Sequence, residues 1–513
     1  MATATGRETG TTGAPEPDNG TGDHVTVGRD KLRSRHITMI TLGGIMGSAL
    51  FIGSGNVIAK AGPAAIIAYL IGGLLVFLAM VLLGEMAARR PAVGSFMEYS
   101  RINLGDGAAY TVGWLYWYFW VGVLAYDSVV GGAILTGWFP FLPSWAWGLI
   151  MLGLFITINL RSVKTFGEVE FWLATVKVVA VIMFLVVGAM LAFGLWPTDD
   201  GGARFGNLWE HGGFMPNGVG AVVSGVAIVI FAYFGTEVAV MAAAESENPA
   251  KGIRQATKTV IWRIMLFFVG SVLVIITVVP WDSLQSASDA ASGPFTAVIN
   301  ELGVPGAATI MELVVFAAVL SVMNAGLYAA SRMLSSMAEQ KFAPKATAVR
   351  NSRGVPVLAV VLSTVGGVVG LLVNYLFPDA GVFDFIMNST GLVALFVYAF
   401  IALSHWNMRR KMSAAEAGAL EMKAKLFPLP NLVVLLSVVA VVVVMMVNSG
   451  SRVEVWSSVV ATAFIAALWP LVKRNKRKIA ASVANAAGTH ELRHEPGGYA
   501  VAERADREPA PEE

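Results

Sequence analysis

Apolar runs of about twenty residues, separated by short polar stretches, dominate the chain. Residues 61–84, 178–198, 264–281, 354–378, 426–451 and 455–472 contain no Asp, Glu, Lys or Arg, and residues 107–160 contain only Asp127. Such runs have the length of a helix that crosses a bilayer. None alternates with the period of a strand. Twelve segments can be delimited, at about 37–57, 64–87, 108–136, 144–160, 168–194, 219–245, 259–280, 306–336, 355–376, 381–404, 429–447 and 454–472. The pattern predicts an all-α integral membrane protein with twelve transmembrane helices. Residues 1–35 and 474–513 are polar and read as disordered tails, and 406–428 reads as a loop before helices 11 and 12 at 429–473. The first 30 residues lack an apolar signal region, so no cleaved signal peptide is expected.

Composition agrees with the pattern. The chain of 513 residues is 14% charged, where a soluble protein carries about 25%, and this excludes a soluble enzyme. There is no Cys, hence no disulfide, thiolate nucleophile or Cys-based metal site. No HExxH and no GxxxxGK[ST] occurs, so neither a zinc hydrolase nor an ATP-driven pump is indicated, and neither metal nor cofactor is expected. Nothing points to nucleic acid as a partner; the bilayer is the partner that the apolar runs require.

Net charge is only +2, but Lys and Arg are distributed unequally. One set of gaps holds Arg29, Lys31, Arg33 and Arg35, then Arg89, Arg90 and Arg101, then Arg161 and Lys164. It continues with Lys251, Arg254 and Lys258, then Lys341, Lys345, Arg350 and Arg353, then Arg409, Arg410, Lys411, Lys423 and Lys425, and ends with the cluster Lys473–Lys478. The opposite set holds Lys60, Arg204 and Arg452. By the positive-inside rule both ends lie in the cytoplasm of a multi-pass cell-membrane protein.

Two segments differ from the rest. The first carries five glycines between 43 and 55, and the sixth has Phe231-Ala-Tyr-Phe-Gly-Thr-Glu237 in its middle. Glycine costs about 1 kcal/mol per residue in a helix relative to Ala, so both places read as breaks. Gly43-x-x-x-Gly47 also fits close packing of small residues. Segments one and six each open a set of five. Five is odd, so the second set runs in the opposite direction, and matched interruptions in inverted halves point to a transporter site. The halves are residues 36–194 and 219–405 of a core spanning 36–405.

From Ser34 to Arg477 the sequence resembles the amino acid–polyamine–organocation superfamily, within it the bacterial amino acid permeases. The resemblance rests on Ser34-Arg-His-Ile-Thr, Ile45-Met-Gly-Ser-Ala-Leu-Phe, Ala61-Gly-Pro, Gly84-Glu-Met-Ala, Gly94-Ser-Phe and Gly113-Trp-Leu-Tyr-Trp. It continues through Gly167-Glu-Val-Glu-Phe-Trp-Leu-Ala, Lys177-Val, Gly235-Thr-Glu and Ser331-Arg-Met-Leu. Gly212-Gly-Phe-Met-Pro-Asn-Gly, Val260-Ile-Trp-Arg-Ile and Val279-Pro-Trp look most like the γ-aminobutyrate permease branch. The resemblance implies a five-plus-five inverted-repeat core with broken helices 1 and 6, two peripheral helices, and uptake of a zwitterionic amino acid with a proton.

A broken helix presents amides to an anion and free carbonyls to an ammonium group. Gly47, Ser48 and Ala49 are the amides in question, Ala49 standing where the family usually has Gly. By family analogy the carbonyls are those of Ile45, Phe231, Ala232 and Phe234, with the ring of Phe231 as outer lid; residue type alone fits a packed Phe equally well. Lys177 lies nine residues into helix 5, about 14 Å above its start. An intramembrane Lys costs about 2.5–3.5 kcal/mol on insertion scales and marks function by default. The resemblance implies that it takes the place of the sodium ion of sodium-coupled relatives; the bland reading is a stem snorkelling to the headgroups. Asp127 is a proton site, a partner for a substrate ammonium, or a hydrogen-bonding group for Ser128 or a neighbouring helix. Glu237 reads as a cap on freed amides, Glu85 as an inner-gate or salt-bridge partner near Arg89, and Asn324 and Tyr328 as pocket-facing residues or polar glue. The sequon Asn388-Ser-Thr390 falls inside helix 10 and is discarded.

The expected function is proton-coupled uptake of γ-aminobutyrate or a related ω-amino acid. A permease or exchanger for small or aromatic α-amino acids is the alternative, and a substrate-sensing receptor on a transporter fold is the alternative of another class. Because no cysteine must be removed first, topology is directly testable. A Cys placed at Gly201 is expected to react with an impermeant thiol reagent from outside intact cells. Labelling from the cytoplasm alone would contradict the orientation.

Overall fold

The computed structural model describes residues 34–43, 46–197, 204–284, 293–377, 382–420, 422–447 and 452–493. Among these, every regular element is a helix. Helix 1 is interrupted: half 1a is Ser34–Gly43, and half 1b is Ser48–Phe51 continuing as Gly53–Ala61. Helices 2 to 5 are Ala65–Arg89, Asp106–Trp138, Ser144–Arg161 and Val163–Ala192. Helix 6 is also interrupted, as 6a (Gly218–Tyr233) and 6b (Val238–Ala244). Helices 7 to 12 are Pro249–Val278, Ala307–Glu339, Val357–Leu376, Val382–Lys411, Leu429–Val447 and Arg452–Arg493.

Eleven helical stretches of the described residues are long and apolar enough to cross a membrane. The difference from twelve has a simple cause. Half 1a has only ten residues, while 1b joins helix 2 in one stretch, Ser48–Arg89. Taken as one interrupted span, helix 1 completes the twelve. Helix 12 continues to Arg493, twenty residues past the boundary expected at 473.

Two short helices that the hydrophobic pattern did not reveal support the inverted repeat. Ser95–Leu104 connects helices 2 and 3, and Pro294–Asn300 connects helices 7 and 8. They occupy corresponding places in the two halves, as the two breaks do. Both are too short to register as spans.

The interrupted helices lie at the centre. Half 6a packs on helices 1b, 2 and 10, and half 1a packs on helices 5 and 7. Helix 3 runs along helices 8, 9 and 10. Outward-facing rows such as Val176, Val179, Met183 and Val186 of helix 5, or Trp456, Val460 and Phe464 of helix 12, are exposed and apolar. Such rows are at home only against lipid tails. Glu85 departs from expectation. Arg89 pairs with exposed Glu416 at 3.6 Å, whereas buried Glu85 meets His405 Nε2 at 3.2 Å and Arg409 Nε at 2.8 Å and accepts from the Ala424 amide at 2.5 Å. A carboxylate this deep needs several partners, and helix 10 with the loop before helix 11 offers more than the nearest arginine in sequence does.

Helix 9 approaches helix 3 through Gly366 and Gly370, one turn apart. A Cβ on Gly366 would come 1.9 Å from Val121 Cγ1, and one on Gly370 would come 2.4 Å from the Cβ and 3.1 Å from the Cα of Ala125. Overpacking of this kind costs about 1–3 kcal/mol. Gly370→Ala should therefore lower the melting temperature in detergent, whereas Gly153→Ala, with nothing within 4 Å of the added Cβ, should not. Equal melting of the two variants would contradict this packing.

Candidate transport site

The helix 6 break is built around Gly235, whose φ of 104° lies where residues with a Cβ are strained. Its amide donates to both carboxylate oxygens of Glu237, at 3.1 and 3.0 Å. Thr236 Oγ1 donates to the Tyr233 carbonyl at 2.6 Å, and the Phe234 amide still reaches Ile230 O at 2.9 Å. Glu237 is buried at the start of 6b, with Arg263 and Tyr116 within electrostatic reach; its carboxylate takes the Gly235 amide of the break and makes no side-chain cap bond to 6b itself. In helix 1, Gly47 is extended at φ −110°, ψ −170° and precedes the new helix start at Ser48. The amides of Ser48 and Ala49 open that helix. The glycines also permit close approach. A Cβ on Gly43 would lie 2.5 Å from Ala174 Cβ, and one on Gly47 2.5 Å from Val322 Cγ2. Packing and interruption are thus one arrangement rather than alternatives.

A cavity of about 30 Å3 lies between the two breaks, space for the centres of about two water molecules. Gly47, Ser48 and Ala49 line it from helix 1, and Phe231, Ala232 and Phe234 from helix 6. Helix 3 contributes Phe119, Trp120, Tyr126 and Asp127. The aromatic wall is continuous: Phe119 stands 4.3 Å from Phe234 and 5.6 Å from Phe231, centroid to centroid, and Tyr126 5.8 Å from Phe231. Asp127 is 1% exposed. Its Oδ1 accepts from Ser48 Oγ, while its Oδ2 is buried without a hydrogen-bond partner. Ser128 is not the partner: its hydroxyl donates to Leu124 O at 2.6 Å, within its own helix. Ile45 lies outside the described residues.

Lys177 does not snorkel; it is fully buried. Its Nζ donates to Gly43 O at 2.6 Å and to Ser321 Oγ at 2.7 Å, joining helix 5 to the end of 1a and to helix 8. Ser321 Oγ in turn donates to Glu170 Oε1 at 2.5 Å. Asn324 belongs to this cluster and not to the cavity. Its Nδ2 donates to Glu170 Oε2 at 3.2 Å, and its Oδ1 accepts from Asn159 at 3.2 Å.

Known proteins share this sequence over most of its length. The family model for amino acid permeases matches residues 36–486. The chain belongs to the amino acid permease family. Among relatives, the γ-aminobutyric acid permease of Bacillus subtilis is 40% identical over 448 residues, covering 87% of this chain and 94% of that protein. The γ-aminobutyric acid permease of Escherichia coli K12 is 40% identical over 448 residues, covering 87% and 95%. An aromatic amino acid transport protein of Corynebacterium glutamicum is 39% identical over 440 residues, covering 85% and 94%. The chain is thus a multi-pass membrane permease for amino acids and not an enzyme, and both breaks and the Lys177 cluster lie within the matched span.

Where helix 6b ends, this permease has a second polar cluster. Tyr328 OH donates to Glu245 Oε2 at 3.0 Å, its ring stacks on Phe166 at 4.1 Å and 5°, and Arg332 lies over its ring at 4.9 Å. Arg332 Nε is 3.3 Å from Glu245. Tyr328 therefore joins helices 5, 6 and 8 and does not face the cavity. Sequence reasoning had no role for Glu170, Glu245, Ser321 or Arg332. For Glu170 a signal existed. It stands seven residues before Lys177, two turns along an otherwise apolar helix, so the two share a face.

Proposed function

We propose that this permease carries a zwitterionic ω-amino acid, γ-aminobutyrate or a close analogue, into the cytoplasm together with a proton, and that both termini are cytoplasmic. The observation that carries the substrate reading is the unpartnered Asp127 Oδ2 in the cavity wall. A buried charge without partners is very costly, and an ammonium group at the cavity would satisfy it. The amides of Ser48 and Ala49 favour a carboxylate at the start of 1b. The carbonyls of Phe231, Ala232 and Phe234 favour an ammonium group.

An α-amino acid carries both charges on one carbon and is served by the breaks alone. An ω-amino acid separates them by methylenes, so its ammonium needs an acceptor set apart, and Asp127 is that acceptor. The names of the relatives in Bacillus subtilis and Escherichia coli agree with this choice. In this reading Lys177 is the coupling residue, because its ammonium bonds the break end of 1a and helix 8 at once. Phe231 is the lid on the outer side, and Tyr328 with Glu245 and Arg332 closes the inner side. Glu85 and Glu237 serve structure at the cytoplasmic end of helix 2 and at the helix 6 break.

A charged hydrogen bond contributes about 1.5–3 kcal/mol, roughly 10- to 150-fold in affinity. Asp127→Asn should weaken γ-aminobutyrate uptake by about that factor and alanine uptake far less, with both measured at one pH. Equal losses would return the assignment to a general α-amino acid permease. Wild-type preference for phenylalanine over γ-aminobutyrate would favour the aromatic reading.

A further inference from the structure

Glu170 and Lys177 are both buried, on one face of helix 5, yet they do not meet directly. The Ser321 hydroxyl stands between them, accepting from Lys177 Nζ at 2.7 Å and donating to Glu170 Oε1 at 2.5 Å. A hydroxyl has one donor and two acceptor sites, and they are used in the order that a proton relay needs. The second oxygen of Glu170 accepts from Asn324 Nδ2 at 3.2 Å, and Asn324 is itself held by Asn159. The groups facing the pair are the Gly43 carbonyl from 1a, Ser321 and Asn324 from helix 8, and Asn159 from helix 4. Among the described residues, Asp127 of helix 3 is the one further charged side chain that acts on it, through Lys177.

We propose that Glu170 is the acceptor of the proton that Lys177 gives up, and that Ser321 passes it between them; this rests on the reading of Lys177 as the coupling residue. In the step, an N–H bond of Lys177 Nζ breaks as an O–H bond forms at Ser321 Oγ. The original Oγ–H bond breaks as an O–H bond forms at Glu170 Oε1. Lys177 and Glu170 both end neutral, Ser321 is chemically unchanged, and the net charge of the cluster is the same before and after. No counter-ion has to enter the membrane. The hydrogen bond from Lys177 to Gly43 O loses its charge, so the hold of helices 5 and 8 on the break end of 1a weakens, while Arg35 and His36 on Glu168 still tie its other end to helix 5. Glu170 lies about 10 Å nearer the start of helix 5 than Lys177, on the way to the cytoplasm. Asn324 and Asn159 are positioning residues that hold the carboxylate against the hydroxyl.

The test uses the full-length protein in proteoliposomes with labelled γ-aminobutyrate and labelled alanine as probes. Accumulation driven by an imposed pH gradient is compared with counterflow exchange without a gradient, across a range of pH. Ser321→Ala keeps both charges and removes the relay. It should lose gradient-driven accumulation by about 100-fold, the scale of a lost proton-transfer group, and retain exchange. Ser321→Thr should restore accumulation. Glu170→Gln should behave as Ser321→Ala does, and Glu170→Asp should recover part of the loss with a displaced pH profile. Accumulation by Ser321→Ala at the wild-type level and pH profile would overturn the relay. So would loss of accumulation and exchange together in both Ser321→Ala and Ser321→Thr, which marks a structural hydroxyl. Lys177→Ala separates this from the broader reading: if that variant still accumulates substrate uphill, coupling at Lys177 fails, whatever the Ser321 variants do.

Discussion

An ammonium group taken out of water must find acceptors, and the arrangement at Lys177 follows from that demand. Its first acceptor is the Gly43 carbonyl at the end of 1a, which also takes the Met46 amide at 3.1 Å and uses its second lone pair for the ammonium. Its second is a hydroxyl from helix 8. The buried charge is thus satisfied at the point where helix 1 is interrupted, and it links the end of 1a to helices 5 and 8. The missing side chain at Gly43 is part of the same device. It lets 1a approach Ala174, one turn before Lys177, closely enough for the amine to reach across.

The neighbouring cavity divides its work differently. In the proposed reading, backbone groups at the two breaks serve the substrate's charges without any ionised side chain; glycine stands at position 235 of the second break with φ 104°. Asp127 is the exception. One oxygen is held by Ser48, at the start of 1b, and the other is left unsatisfied. A buried acceptor without a donor costs about 1–3 kcal/mol, a demand that the ammonium group of the proposed substrate would meet. Ser48 belongs to the broken helix and Asp127 to helix 3. A ligand that draws on Asp127 would therefore also act on helix 1, whose other half is held less strongly at the break when Lys177 loses its charge in the proposed relay. Substrate and proton then bear on the same element from opposite ends of its break.

Much of this could be read from the chain. The twelve apolar segments, the five-plus-five division and both breaks follow from helix-length runs and glycine cost, and the structure carries them. Gly47, Ser48 and Ala49 were named from the first break, and Phe231, Ala232 and Phe234 by family analogy. What the sequence did not disclose are choices among partners. Glu85 has Arg89 one turn away and takes His405 and Arg409 instead. Asn324 turns from the cavity to Glu170, and Asp127 to Ser48 rather than to adjacent Ser128. Each of these contacts joins residues distant in sequence, set by how helices pack and not by any local pattern. The helices Ser95–Leu104 and Pro294–Asn300 escaped notice because ten and seven residues cannot form a membrane span.

In the proposed coupling, substrate and proton cross together through the buried charge of Lys177. The most direct test imposes no proton gradient at all. Proteoliposomes with a pH-sensitive dye trapped inside are given an inward gradient of γ-aminobutyrate at zero membrane potential. Coupled entry predicts that the lumen acidifies as substrate enters, and that Lys177→Ala, reconstituted to the same density, takes up substrate down its gradient without acidification. Substrate entry into wild-type vesicles at constant internal pH would contradict it.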